Sequence, residues 1–270
     1  MFRRRQTDTV KHGHAETRAF SLIELLVVIA IIAAVSVISV PVIRGLGQSN
    51  VVTSGTQQLV DDLMLARHKA MVGRTTVHVV FVPDLSTQPV PGGLNNRDQR
   101  LWDRLRGGGY TTYALYAERT LGDQPGKRNE RYITDWRTLP EGIFIATYEF
   151  EPLPANRFDS EPPIDRPFKD FGFSFPFPTE QSREKRDLPH VTFDQNGSLL
   201  QYDRSGNRVY KPEYIWMAKG SVLVARNGNN VSLDAREVPL WNSTNNYNRI
   251  RIDPVSGRAR LERPEIQMGN

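Results

Sequence analysis

Glu24 is the residue whose chemistry most needs explaining. It stands directly before Leu25–Ile43, nineteen residues without a charge. A carboxyl group near the centre of a bilayer costs on the order of 2–3 kcal/mol, and less near its edge. Glu24 therefore either has a dedicated counter-charge or survives as an accident at the membrane edge. A second set of charged residues lies near the C-terminus: Arg249, Arg251, Arg258, Arg260 and Arg263. Period-two alternation puts Arg249 with Arg251 and Arg258 with Arg260, with Ile250, Ile252 and Leu261 facing the other way. Aligned guanidinium groups suit phosphate, and such binding would fall with salt. Asp253, Glu262 and Glu265 dilute the patch, and a solvated hairpin face is the favoured account. No catalytic constellation emerges. His12, His14, His68, His78 and His190 are scattered without metal-ligand spacing, and Asp61 and Asp62 point to different faces of a helix. No zinc-protease, nucleophile-elbow or phosphate-loop motif is found. Gly107–Gly109 reads as a flexible turn, and Asp194–Gly197 as a tight turn rather than a calcium loop. The expectation is a chain that is not an enzyme and takes no cofactor or metal.

The 270 residues, 39% hydrophobic, suffice for one domain with a core plus a membrane element. Zero cysteines exclude a disulfide scaffold, thiolate metal sites and a cysteine nucleophile. Net charge is +5, of which residues 1–19 carry +3, so a global nucleic-acid surface is not implied. The uncharged run must be helical if it enters lipid, and it is nearly long enough to cross a hydrocarbon core of about 30 Å. The basic residues before it place the N-terminus in the cytoplasm and residues 44–270 outside. A cleaved secretory signal is disfavoured, since no small-x-small site precedes a polar mature start. A plain signal anchor accounts for the span but not for Glu24.

The stretch Ala19-Phe20-Ser21-Leu22-Ile23-Glu24-Leu25-Leu26 resembles the processing site of type IV prepilins and type II secretion pseudopilins. The resemblance implies that a prepilin peptidase cuts between Ala19 and Phe20 and that the new amine of Phe20 is methylated. Ala19 stands where the family usually has Gly, and Ser21 where it usually has Thr. Counted from Phe20, Glu24 is the fifth residue and Pro41 the twenty-second, the family's places for its glutamate and its helix-bending proline. Glu24 is then implied to be the counter-charge to the buried amine of a neighbouring subunit, setting the register of assembly. Ala30, Ala33, Ala34 and Ser36 would let helices pack closely, or are ordinary membrane-helix composition.

The chain is similar above all to H-type minor pseudopilins. Its large head also resembles a prepilin-like subfamily encoded in multi-gene cassettes, the Verru_Chthon cassette protein D type. The resemblance implies an α+β pilin-like fold, with a long N-terminal helix packed on a mainly antiparallel β head. The expected segments are a leader over 1–19, a membrane helix over 20–43, the extracytoplasmic half of that helix over 44–73 and a β-rich head over 74–270. The implied partners are the prepilin peptidase, other pilin or pseudopilin subunits and inner-membrane lipid. The implied location is the inner membrane, single-pass, with the head in the periplasm or at a filament tip or cell surface. Gly257-Arg258-Ala259-Arg260 resembles a short motif of minor pilins that capture DNA, so DNA is a second, less favoured partner.

In more detail, the helix is expected to loosen over 44–58. A stripe of Leu59, Leu63, Ala66, Ala70 and Met71 then packs on the sheet, with Asp61, Asp62, Arg67 and Lys69 mostly off it. Strands are expected over 75–82, 110–118 and 143–148. Pro83–Gly109 and Leu121–Arg131 read as loops. Phe171, Phe173, Phe175 and Phe177 read as a core-facing edge strand. Hairpins are expected over 190–203 and 247–262, with further strands over 214–219 and 221–225.

Overall fold

The computed structural model of the chain describes residues 22–120, 122–123, 129–150, 173–202, 206–228, 230–245 and 248–263; within the first helix the side chains of residues 33–50 are not described. The chain divides into two units, Met1–Gly47 and Gln48–Asn270. Helix α1 (Leu22–Gly73) contributes to both.

In the first unit, the described side chains of α1, Leu22–Ile32, are apolar except for Glu24, and all are exposed. Leu22, Ile23 and Ile32 lie on different sides of the helix, each more than half exposed. A helix that is apolar all round is stable only where something other than water surrounds it. Among the described residues no helix is long and apolar enough to cross a membrane. The described side chains of the uncharged run end at Ile32.

The second unit is an α+β layer structure whose sheets are antiparallel. Its elements after α1 are β1 (Val77–Phe81), α2 (Asn96–Arg106), β2 (Thr112–Ala117), β3 (Arg131–Tyr132), β4 (Arg137–Thr138) and β5 (Ile143–Ile145). There follow β6 (Phe175–Pro176), β7 (Lys185–Arg186), β8 (His190–Phe193), β9 (Gln201–Tyr202) and β10 (Arg208–Val209). The chain then forms β11 (Glu213–Asn227), β12 (Asn230–Glu237), α3 (Asn242–Asn245), β13 (Asn248–Ile252) and β14 (Ala259–Glu262). One sheet runs β3-β2-β1-β8, with β4 also on β2. The other runs β12-β11-β13-β14, with β5 also on β11.

The stripe on α1 packs as its spacing predicts: Leu59, Leu63, Ala66 and Ala70 are wholly buried. They meet Val79, Phe81, Tyr113 and Leu115 of one sheet and Ile215, Met217, Ile250 and Ile252 of the other in a single core. Two details differ from the sequence reading. Met71 is only half-buried. Asp62 is buried, because Tyr113 Oη donates to it at 2.7 Å and Arg137 also pairs with it.

The expected loosening over 44–58 does not occur, since α1 is continuous. The glycine at 55 serves close packing instead. A Cβ there would stand 2.6 Å from Ile143 Cγ2 and 3.2 Å from Pro140 Cδ, so only glycine lets the helix approach the turn before β5 this closely.

The stretch Pro83–Gly109 is not all loop. Asn95 caps α2, accepting from the backbone N–H groups of Arg97 and Asp98, and Asp98 accepts in return from the Asn95 amide. Leu101, Trp102 and Leu105 supply its inner face, and Trp102 is wholly buried against Phe177. Phe175 and Phe177 are core residues, as expected, and Phe173 packs beside them; Phe171 lies outside the described residues. The strands expected over 214–219 and 221–225 are one strand, β11, which pairs with β13 and β5 before Gly220 and with β12 after it. Gly220 has φ +154, and a Cβ there would lie 1.9 Å from the Arg236 carbonyl oxygen. The hairpin expected over 190–203 is short: beyond the Phe193–Leu199 bridge, β9 pairs with β10.

Candidate processing and assembly segment

Ala19 and Phe20 lie outside the described residues. The described chain opens on α1, and Glu24 falls in its first turn, where a negative charge opposes the positive end of the helix dipole favourably. Glu24 is exposed and ringed by exposed Leu22, Ile23, Leu25, Leu26 and Val28. Pro41 falls inside α1, at a position whose side chain is not described. Its ring removes the donor that would have reached Val37.

The C-terminal arginines occupy β13 and β14 in the expected hairpin, and the register pairs Arg251 with Arg260 and Arg249 with Glu262. Arg249 is held: it donates to Glu262 at 3.0 Å through Nε and lies over the rings of Tyr214 and Trp216 at 4.4 and 5.0 Å. Arg263 is tied to Asn248 and to Thr53 of α1. Arg251 sits 3.5 Å from Glu262 Oε1. Arg258 and Arg260 are exposed, and with Arg251, Asp253 and Ser256 they line one small surface cavity. The hairpin thus brings three of the five arginines to one surface, diverts Arg249 into packing and ties Arg263 to α1.

The turn that joins these strands is fixed from inside the fold. Asp253 accepts from the N–H groups of Val255 and Ser256, which holds its carboxyl below the usual range. Gly257, at φ +62, has no room for a Cβ, which would fall 1.9 Å from the Gly197 carbonyl oxygen. Arg67 of α1 donates to the Ser256 carbonyl at 2.6 Å.

Two histidines that the sequence leaves scattered are brought together. His78 and His190 meet edge-to-face at 5.5 Å, with Phe173 stacked on His78 and Phe175 against His190. His190 Nδ1 lies 2.8 Å from the Leu188 carbonyl, and burial pushes its pKa down to about 4. His78 Nδ1 lies 2.9 Å from Thr192 Oγ1 and its Nε2 3.6 Å from Glu118. Among the described residues no group of three His, Asp or Glu is arranged to hold a metal ion. The pair came from strands β1 and β8, 112 positions apart in sequence, so no local spacing could have announced it.

No curated protein and no solved structure matches the chain. One family description does, the prokaryotic N-terminal methylation motif, over residues 16–40. That interval takes in Ala19, Phe20 and Glu24 and runs into the helical apolar stretch. Residues 16–40 therefore carry the prepilin-like N-terminal methylation signal.

Proposed function

We propose that the chain is a structural subunit of a type II secretion pseudopilus or a type IV pilus-like filament, most similar to an H-type minor pseudopilin. Prepilin peptidase removes residues 1–19 by cutting between Ala19 and Phe20, and the Phe20 amine is methylated. Before assembly the uncharged run Leu25–Ile43 holds the chain in the inner membrane as a single span, N-terminus inside and head in the periplasm. On assembly the same helix enters a bundle of related helices, where Glu24 neutralises the amine of a neighbour. An unpaired charge in such a bundle is costly and a paired one specifies register. The observation that carries the reading is the coincidence of the methylation motif over 16–40 with a helix whose described apolar residues, Leu22–Ile32, are exposed on every side.

Intact-mass and N-terminal peptide analysis of the chain from its native membranes tests it. A mature chain beginning at N-methylated Phe20 supports the reading. A chain that keeps residues 1–19 beside an active peptidase overturns it and leaves a signal-anchored domain that never polymerises.

One observation favours a second reading, a head that holds DNA. Arg251 and Arg260 face each other directly across β13 and β14 and share one surface cavity with Arg258, so three guanidinium groups lie together although Glu262 pairs with the first of them. Gel shift with residues 48–270 tests it. Salt-sensitive binding lost on joint Arg258→Ala and Arg260→Ala substitution would support it; salt-independent binding, or none, would dismiss it.

A further inference from the structure

The second unit has two distinguishable ends along α1. At one, Arg67 and Met71 meet the turns at Gly197 and Gly257. At the other, where α1 enters the unit, Val51 approaches Gly142 and Gly55 approaches Ile143. Strand pairing places Lys219 opposite Ile143, and Gly220 donates to the Gly142 carbonyl. The segment Val238–Trp241 is fastened to this same end. Val238 donates to the Lys219 carbonyl at 2.8 Å, and the Asn242 side chain bridges both the N–H and the carbonyl of Lys219 at 2.7 Å.

What this clamp presents is unusual for a surface exposed to water. Val238 is 56% exposed, Leu240 68% and Trp241 42%. Trp241 has φ +64, a conformation disfavoured for a bulky side chain, and is held there as its carbonyl accepts from Thr244 and Asn245. Trp102 and Trp216 are buried and Trp136 half-buried, so among the chain's four tryptophans Trp241 is the most exposed. Arg263, an exposed cation, is anchored at the same end by Thr53. An aliphatic and tryptophan tip with an arginine at the same end of the unit is the composition that seats at a bilayer interface.

We propose that Val238–Trp241 is a membrane-contact tip, with Leu240 and Trp241 seated among lipid headgroups before the subunit is assembled. The proposal rests on the reading of Leu25–Ile43 as a membrane span. Seven residues lie between Ile43 and Val51, and the eight steps along the chain, at about 3.5 Å each, reach no further than about 28 Å in any conformation. The end of the unit that carries the tip is therefore leashed to the bilayer, while the Gly197 and Gly257 turns belong to the opposite end. The occupant is the lipid surface that the chain itself enters. Extraction of the subunit into a filament would then have to break this contact.

The test uses the full chain in nanodiscs, one chain per disc, with lipids brominated close to the headgroup. Quenching of tryptophan emission that disappears in Trp241→Phe and weakens in Leu240→Glu is the expected result. Both positions are exposed, so folding is preserved, and retained emission from Trp102 and Trp216 checks this. Alkaline carbonate extraction of the same membranes separates the two ways of failing. A chain that stays in the membrane with Trp241 unquenched overturns the tip alone. A chain released by carbonate overturns the span and the tip together. Protection of Trp241 that rises with the number of chains per disc, without lipid quenching, assigns the tip to a neighbouring subunit and also overturns the proposal.

Discussion

Glu149 and His190 are buried ionisable groups whose pKa values move in ways that oppose folding at opposite ends of the pH scale. Glu149 is 1% exposed and its carboxyl is pushed well above the usual range by burial, with a lowering contribution from the Trp216 N–H that donates to it at 3.0 Å. The folded chain therefore keeps a proton that the unfolded chain releases above about pH 4.5, and stability falls as pH rises from there. His190 behaves in the reverse sense. Folded, it stays neutral down to about pH 4; unfolded, it takes a proton below 6.5, so stability is lost as pH falls through that window. The largest loss is about 3 kcal/mol. Because the two windows overlap between about pH 4.5 and 6.5, the opposite slopes offset each other there, and urea unfolding of residues 48–270 should show stability falling chiefly above about pH 6.5. Glu149→Gln is expected to remove that alkaline fall and uncover the loss towards acid, and His190→Gln to extend the fall down to about pH 4.5; unchanged slopes would mean that neither group stays uncharged in the fold. Asp62 makes a third case. Removing it takes the acceptor from the Tyr113 hydroxyl, whose pKa burial and Asp62 together raise and to which Gln58 still donates, and leaves Arg137 without its carboxylate. Because Arg137 is 41% exposed, water recovers part of the loss, and Asp62→Ala should cost about 2 kcal/mol in the same assay.

Between α1 and the sheets, glycine decides how closely elements approach. Gly55 sits in a helix, where alanine would ordinarily gain about 1 kcal/mol. Here the added Cβ would press on Ile143 and Pro140, and overpacking of this kind costs about 1–3 kcal/mol. Gly55→Ala should therefore be net destabilising by roughly 1 kcal/mol. Gly257→Ala should cost more, at least about 2 kcal/mol, since its left-handed backbone and the Gly197 carbonyl both exclude a Cβ. Thermal unfolding that ranks Gly257→Ala below Gly55→Ala, and both below the parent, is the expected order. These contacts also show what the sequence could reveal. The Leu59–Ala70 stripe, β1, β2 and the C-terminal hairpin were legible because their periodicity is local. Helix α2 carried a readable cap in Asn95 and Asp98, but surrounding Pro, Gly and Asn residues made the stretch look like loop. Strand β12 alternates Val231, Leu233 and Ala235 with Ser232, Asp234 and Arg236 after an Asn-Gly turn, and its charges concealed a ribbon that needs no buried outer face. Asp62 was misplaced because its partner Tyr113 lies 51 residues away, and Gly55 because its neighbour Ile143 is nearly ninety residues distant.

At the scale of the whole molecule, the two units divide the proposed work. The second supplies a core that draws on no described side chain before Val51: its helix stripe packs against residues of both sheets. Among its described residues the first displays an apolar helix and one carboxylate, neither of which contributes to that core. Substitution at Glu24 should accordingly separate folding from assembly. Glu24→Ala removes a charge from an exposed position, so the unfolding of the head and the insertion of the chain into membranes should be unchanged, with insertion if anything favoured as the ionised group is lost. Incorporation into the filament should fall steeply, because the amine of the neighbouring Phe20 would then be buried without a counter-charge, a loss of about 3–5 kcal/mol for a buried pair broken on one side. Glu24→Asp keeps the charge on a shorter side chain and should fall between the parent and Glu24→Ala. The measurement is the amount of each variant recovered in sheared filaments or cross-linked to neighbouring subunits, normalised to its amount in the membrane. If Glu24→Ala enters the filament as readily as the parent, the carboxylate does not set the register. The methylation motif would then mark processing alone, and the all-round apolar helix would have to find its neighbours by packing.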